Sequence, residues 1–449
     1  MVKLNSKILV VVVVIIMVSA TGGAFFLMQN KERDDPITER LTIFGNANLD
    51  DYLDQRDVGY LEGVVNGDNE KTMFSDTNGD GVVDQRDVDY LKSILNHTAP
   101  RIYYLNVNRK VASVAAYPEK IAANYWPSMD ALMVIDAFDI VTHVNPGIVT
   151  SLNNGVYAPY TANDFGALSD GMRYDFESVV ATGVDAIVCG TENYYFKGIE
   201  DLFTDETRID MIRLPFWEGG NVPSAILTLA YLLGQEKYIE RAHAYLDLID
   251  EIDGVLKNGL NKVDKKATVL VLYLGRAVEA RLSVEVECRG SGSYECSVIA
   301  GLDNMSSYLN EDGFLGNGMY FNTDQEYVIE RNPDHILLLG SGGGFRGSET
   351  TMHNAYVVGS TYLVTTDAYK NDNIWVSGSG LMSGPMQMIL ALMIACNVYE
   401  DAFSNVNPYS YLQKYADNFT LINEGKSPSN VTYLDVDTSG GYLYMPKKA

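Results

Sequence analysis

The chain has 449 residues, 47% of them hydrophobic, and a formal net charge of −26. That length predicts two or three domains, each able to bury a sizeable core. The acidic surplus excludes nucleic acid as a partner, because phosphates would be repelled, and is compatible with calcium, cationic ligands and an exported life. Only 5 histidines are present, which limits imidazole metal chemistry.

Ile8–Met28 is uncharged and almost entirely apolar, with Lys3 and Lys7 ahead of it. It is long enough to span a bilayer once. It is therefore expected to be a transmembrane anchor or a secretory signal with its flank, with Ala20 and Ala24 as cleavage points. Either way the remainder is expected on the extracellular side of the cell membrane. The charged, proline-containing Lys31–Arg40 reads as a linker.

The most specific motif follows. Asp76, Asn78, Asp80, Asp84 and Asp87 place side-chain oxygens at positions 1, 3, 5, 9 and 12 of a calcium loop of the EF-hand kind. Gly81 stands where such a loop turns sharply, and Val82 offers its backbone carbonyl. The spacing wraps hard oxygen donors around one point, as calcium requires. A weaker copy lies upstream in Asn46, Asn48, Asp50, Asp54 and Asp57. The copies keep a period of 30 residues: Gln55-Arg56-Asp57-Val58 recurs as Gln85-Arg86-Asp87-Val88, and Tyr60-Leu61 as Tyr90-Leu91. An internal duplication of this kind marks a repeated supersecondary unit. Residues 43–97 thus resemble a dockerin: two calcium loops, each followed by a helix, here Val58–Val65 and Val88–Leu95. The resemblance implies two Ca2+ ions and a cohesin module as partner. Asn46 in place of the leading Asp, and Asp51 in place of the turn glycine, depart from the pattern in the first loop.

From Arg101 onward short apolar runs alternate with helix-like segments, the pattern of a parallel sheet. Strands are expected at Lys110–Ala116, Phe138–His143, Ala186–Cys189 and Arg208–Leu214, with helices at Glu119–Asn124 and Phe176–Thr182. Asn221–Leu256 reads as a helical spine broken at Gly234. Its first part carries Ile226, Leu229, Ala230 and Leu233 at helical spacing, and its second carries Tyr238, Ala242, Tyr245, Ile249 and Ile252. Beyond it, strands are expected at Ala267–Tyr273, Val284–Glu287, His335–Leu339 and Asn373–Val376, with helices at Gln325–Arg331 and Leu381–Cys396.

The flanking regions share a phrase. Glu177 through the strand after Asp185 aligns with Glu326 through the strand after Asp334: helix, turn ending in Asp, buried strand. Matched halves about a helix favour two Rossmann-like lobes, residues 101–220 and 258–417, joined by a spine at 221–257. With these features residues 101–417 resemble the solute-binding proteins of iron-chelate and cobalamin ABC importers; the Asn332-Pro333-Asp334 turn is typical of that family's second lobe. The resemblance implies that Glu177 and Glu326 dock on an ABC permease. The independent reading of the two is as first-turn carboxylates favoured by the helix dipole.

In such sheets ligands bind beyond the carboxyl ends of the strands. Tyr117, Tyr194, Tyr195, Trp217, Arg276 and Arg346 are the strand-end candidates for a metal chelate, haem or corrinoid, through aromatic faces and guanidinium charge. His143 and His335 lie on apolar strands and read as core, so a histidine-built metal site is not expected. Cys288 and Cys296 flank a loop that could close a disulfide in an exported protein, whereas Cys189 and Cys396 read as buried thiols. Sequons stand at Asn96, Asn304, Asn418 and Asn430. The C-terminal segment 418–449 carries no motif. The function expected is that of a surface-anchored solute-binding protein with a dockerin, not an enzyme: no G-x-S-x-G elbow or H-E-x-x-H is present. The alternative is a structural or adhesive component of a cohesin–dockerin assembly.

Overall fold

A computed structural model describes residues 40–420, apart from 154–156, 158, 170–173, 191–201, 204–206, 218–220, 279–280, 307–319, 341–348, 379–381 and 383, together with 443–444. The apolar segment Ile8–Met28 lies outside the described residues. Among those described, no helix is long and apolar enough to cross a membrane.

The duplicated motif folds as two loop–helix units. Helix α1 (Gln55–Asn66) and helix α2 (Gln85–Leu95) begin with the same device. Asp54 and Asp84 cap the first turn through the backbone N–H of Arg56 and Arg86, while Asp57 and Asp87 accept the backbone N–H of those capping residues. Each box satisfies donors that a helix start otherwise leaves orphaned. One face of each helix is apolar and buried: Val58 and Leu61 on α1, and Val88, Leu91 and Ile94 on α2.

A hairpin follows, β1 (Arg101–Leu105) antiparallel to β2 (Val111–Ala115). The expected strand at Lys110–Ala116 is therefore real but belongs to this hairpin and not to a parallel sheet. The parallel sheet of the first lobe comprises β3 (Ile121–Ala123), β4 (Val141–Val144), β5 (Gly166–Ala167), β6 (Ala186–Cys189) and β7 (Asp210–Arg213), in the order β5-β4-β3-β6-β7. Helices α3 (Trp126–Val134), α4 (Pro146–Asn153) and α5 (Phe176–Ala181) connect it. The expected helix at Glu119–Asn124 is corrected to a strand: Ile121, Ala122 and Ala123 are fully buried at the centre of the sheet. Alanine's helical propensity, a few tenths of a kcal/mol, yields there to burial between two strands. The strand expected at Phe138–His143 begins as a 3-10 turn over Phe138–Ile140.

The spine forms as two helices, α6 (Val222–Leu233) and α7 (Glu236–Leu260). Pro223 occupies the first turn of α6, where its missing N–H costs nothing, and Gly234 ends that helix in the left-handed region at φ 73°. Asn221 makes no side-chain cap. Every residue of α6 except Pro223 is buried, which explains why its amphipathic stripe is weak.

The second lobe is a mixed sheet. Strands β8 (Thr268–Val278), β9 (Arg281–Glu287), β10 (Asp303–Asn304), β11 (Tyr320–Asp324), β12 (His335–Gly340), β13 (Ile374–Gly378) and β14 (Leu443–Tyr444) run in the order β11-β9-β8-β12-β13-β14, with β10 paired to β8. Only β8, β10, β12 and β13 are mutually parallel; β9 turns back on β8, β11 on β9 and β14 on β13. Helices α8 (Gly292–Ile299), α9 (Gln325–Arg331), α10 (Glu349–Tyr362), α11 (Gln387–Val398) and α12 (Pro408–Phe419) cover this lobe or reach back to α7. The disulfide reading fails here: Cys288 and Cys296 are free thiols separated by the first turns of α8. Cys189 is buried, as expected, and Cys396 only half-buried. Asn304 is no surface sequon either, being buried with its amide on the Ser297 hydroxyl at 3.0 Å.

His335 proves to be core, as the sequence predicts. It is 8% exposed, lies tilted 4.7 Å from Trp375 and leaves Nδ1 without a hydrogen-bond partner. Burial disfavours its charged form and pushes its pKa down to about 4. Below its ordinary value of about 6.5, the unfolded chain takes up the proton first, so stability drains as pH falls from there toward about 4. The expected loss is about 2 kcal/mol by pH 5. Urea unfolding of wild type and His335→Phe at pH 7 and pH 5 checks it: the variant should lose less on acidification, and parallel losses would refute the assignment.

Candidate functional site

The carboxyl ends of the first lobe's strands converge on one crest. Asn124 and Tyr125 follow β3, Asn145 follows β4, and Trp217 closes the turn after β7. The ladder runs on past each strand: Asn124 N–H donates to Val188 O and Asn145 N–H to Ala123 O, both at 3.0 Å. Beneath the crest lies a buried polar relay. The Asn145 amide donates to the Tyr174 hydroxyl, which donates to Asn124 Oδ1 at 2.6 Å. Asn145 Oδ1 accepts Gly147 N–H at 2.6 Å and so fixes the start of α4. The Nδ2 of Asn124, fully buried, has no partner. An unused donor under the crest costs about 1–3 kcal/mol unless something accepts from it.

Above the relay stand three half-buried aromatics. Tyr125 meets Trp126 at 5.7 Å and Trp217 at 6.2 Å, both edge to face. Trp217 is thus placed where the sequence predicts. Tyr125, Trp126 and Asn124 were not foreseen, because reading β3 as a helix hid the strand end that presents them. Tyr117 is a correction. It precedes β3, at the opposite end of the sheet from the crest. Its ring lies against Gly234 and 4.5 Å from His97, and its hydroxyl donates to Ile94 O at 2.8 Å. Its strand was the hairpin strand β2, whose end is no carboxyl crest. Arg276 falls within β8, at an irregularity in the pairing with β9, and not at the strand's end; its side chain, like Tyr194, Tyr195 and Arg346, lies outside the described residues.

Glu177 and Glu326 occupy equivalent places. Each is the second residue of its helix, α5 or α9, is exposed, and follows a capping aspartate, Asp175 or Asp324. The shared phrase has a physical cause. A left-handed residue follows each helix, Gly183 at φ 66° one place after the Thr182 cap and Asn332 at φ 45° as the cap itself. The aspartate that follows clamps the start of the neighbouring strand. Asp185 accepts the N–H groups of Glu119 and Lys120 at 3.0 and 2.8 Å, holding β3 to β6. Asp334 accepts the N–H and hydroxyl of Thr268, both at 2.9 Å, holding β8 to β12.

In the loops, Asn78 Oδ1 accepts Asp80 N–H and Asp76 Oδ2 accepts Gly81 N–H, at 2.9 and 2.8 Å. Asn48 Oδ1 takes Asp50 N–H in the same way at 3.0 Å. Arg56 forks across Asp50 and Asp54, and Arg86 across Asp80 and Asp84. At the leading position of each loop one oxygen, Asn46 Oδ1 or Asp76 Oδ1, is buried without a partner. At the last position Asp57 and Asp87 are fully buried. The hydrogen bonds to these carboxylates come from backbone N–H groups. Burial pushes Asp57 up to about 6 and raises Asp87 as well. Orphaned oxygens and buried carboxylates at the two ends of a loop fit a cation between them. No group of three or more His, Cys, Asp and Glu among the described residues forms a ready cage, so amide and backbone oxygens would have to complete it.

The fold has relatives of known structure. A TroA-like periplasmic binding protein, FepB from Veillonella parvula, is similar at TM-score 0.55 and 18% identity, covering 71% of this chain and 96% of its own. Helicobacter pylori CeuE, in a nickel–histidine complex, is similar at TM-score 0.54 and 14% identity, covering 73% and 97%. The molybdate periplasmic binding protein MolA of a Haemophilus influenzae ABC transporter, bound to molybdate, is similar at TM-score 0.55 and 14% identity, covering 71% and 97%. No family model matches the sequence, and no curated protein matches it. At these identities the likeness defines the fold: the mixed α/β fold of TroA-like binding proteins.

Proposed function

We propose that the chain is the extracytoplasmic solute-binding protein of an ABC importer, with no enzymatic activity. The observation that carries the reading is the crest of Tyr125, Trp126 and Trp217 over a buried relay with one unused donor, at the carboxyl ends of a sheet joined by a helical spine to a second α/β lobe. An iron chelate, haem or corrinoid suits a cluster of partly exposed aromatic rings. Glu177 and Glu326, equivalent and exposed on helices that start on the crest side, present two carboxylates to permease arginines. Asn46, Asn48, Asp50, Asp54 and Asp57 would hold one Ca2+, and Asp76, Asn78, Asp80, Val82, Asp84 and Asp87 a second. These units would bind a cohesin module through their exposed faces, and the apolar segment at residues 8–28 would anchor or export the chain. The test is titration of the full chain with ferric chelates, haem and corrinoids, followed by tryptophan fluorescence. Saturable quenching by one class is expected; a folded protein that answers to none of them would overturn the reading.

A further inference from the structure

The loop–helix units are built into the body that follows them. Leu41, Ile43, Leu53, Val58, Leu61, Val88, Leu91 and Ile94 belong to the same buried core as Ile226 and Leu229 of α6 and Ile249 of α7. Polar and stacking contacts join the first loop and the segment just before it to the spine. Thr42 N–H and its hydroxyl meet the Thr228 hydroxyl at 3.1 and 2.9 Å, both buried. Leu53 N–H donates to the Tyr231 hydroxyl at 3.4 Å. The Tyr52 ring stacks on His243 at 4.2 Å and 10°. Arg40 bridges Asp51 to Asp250 of α7. The second loop leads to the edge of the first lobe: Gly79 lies against Tyr103 of β1, and Tyr90 donates to Arg101 O at 2.9 Å. The hairpin then grips β7, with Arg101 on Asp210 at 2.6 Å and the buried Tyr104 hydroxyl between Met211 O and Arg213 N–H, both at 3.1 Å.

From these contacts we infer that the duplicated unit is a calcium-dependent clamp on the solute-binding body, a role separate from any docking; the inference rests on the calcium reading above. Tyr52 and Leu53 sit inside the first loop, between Asp50 and Asp54. A cation that orders those carboxylates also orders the backbone that stacks on His243 and donates to Tyr231. The free energy of binding the native loop is then shared by the α6–α7 junction, because only a state with the loop formed binds the ion.

Hydrogen exchange of the full chain in millimolar calcium and in chelator tests this, with calcium binding measured separately by calorimetry. Calcium should slow exchange in residues 46–57 and also, by about tenfold or more, at residues 228–243. Asp57→Asn should abolish both effects. In Tyr52→Ala with Thr228→Val, which leaves every loop oxygen in place, calcium should still bind and protect the loop, while protection of 228–243 is lost. Protection confined to the loops in the wild type would overturn the clamp while leaving the calcium reading intact. No calorimetric binding at all would overturn both, and the cargo titration, read independently, would be untouched by either outcome.

Discussion

Replacing Gly234 with alanine is expected to cost about 2–4 kcal/mol, a large fraction of a protein's usual stability. Two terms add. The residue sits at φ +73°, where a Cβ costs about 1 kcal/mol or more. The added carbon would also stand 1.8 Å from Cδ1 and 2.2 Å from Cε1 of Tyr117. That ring has little room to yield, since its hydroxyl is bound to Ile94 O and its face lies against His97. The clash falls at the junction of α6 and α7. Urea unfolding gives the number, and the double variant with Tyr117→Ala should recover part of it, because removing the ring removes the collision but not the backbone strain. A Gly234→Ala protein within about 0.5 kcal/mol of wild type would mean that this junction does not bear on the stability of the spine.

The second large effect concerns cargo. Tyr125→Ala combined with Trp217→Ala should weaken binding of the ligand found by titration by about a hundredfold, or about 2.7 kcal/mol. Both rings are half-buried and meet edge to face, so each keeps part of its surface open beside its contact with its neighbour. Stability should fall far less than affinity, because neither ring belongs to the lobe's buried core. Trp126 and Trp375 remain to report the titration. A change of threefold or less, in a variant as stable as wild type, would remove the crest from the binding account.

The fold was legible wherever a local pattern was strong. The spine declared itself through apolar spacing and Gly234, and Gln325–Arg331 was bounded correctly because Asp324 caps it and Asn332 ends it left-handed. The two Asp clamps explain why one phrase appears in both lobes: each pins a parallel strand pair at the same place. Short strands rich in small residues were not legible. Ile121–Ala123 is decided by the strands on either side of it, which the local sequence does not contain, and with it went the crest aromatics. The antiparallel return of β9 was hidden for a related reason, since an apolar alternation fixes a strand but not its direction. The duplicated loop–helix unit could be read from spacing alone, yet its seat on the spine could not. Thr42 and Thr228 are 186 residues apart, and nothing near either one marks it as the other's partner.

The measurement that bears most directly on the account is hydrogen exchange with and without bound cargo. Residues 124–126, 145–147 and 214–217 of the first lobe, and the ends of β12 and β13 at Gly340 and Gly378, should gain protection together, while the middle of α7 stays unchanged. That result would place the solute between the carboxyl ends of two sheets held by a constant spine. Saturable binding that protects neither strand end, or only one lobe, would contradict it.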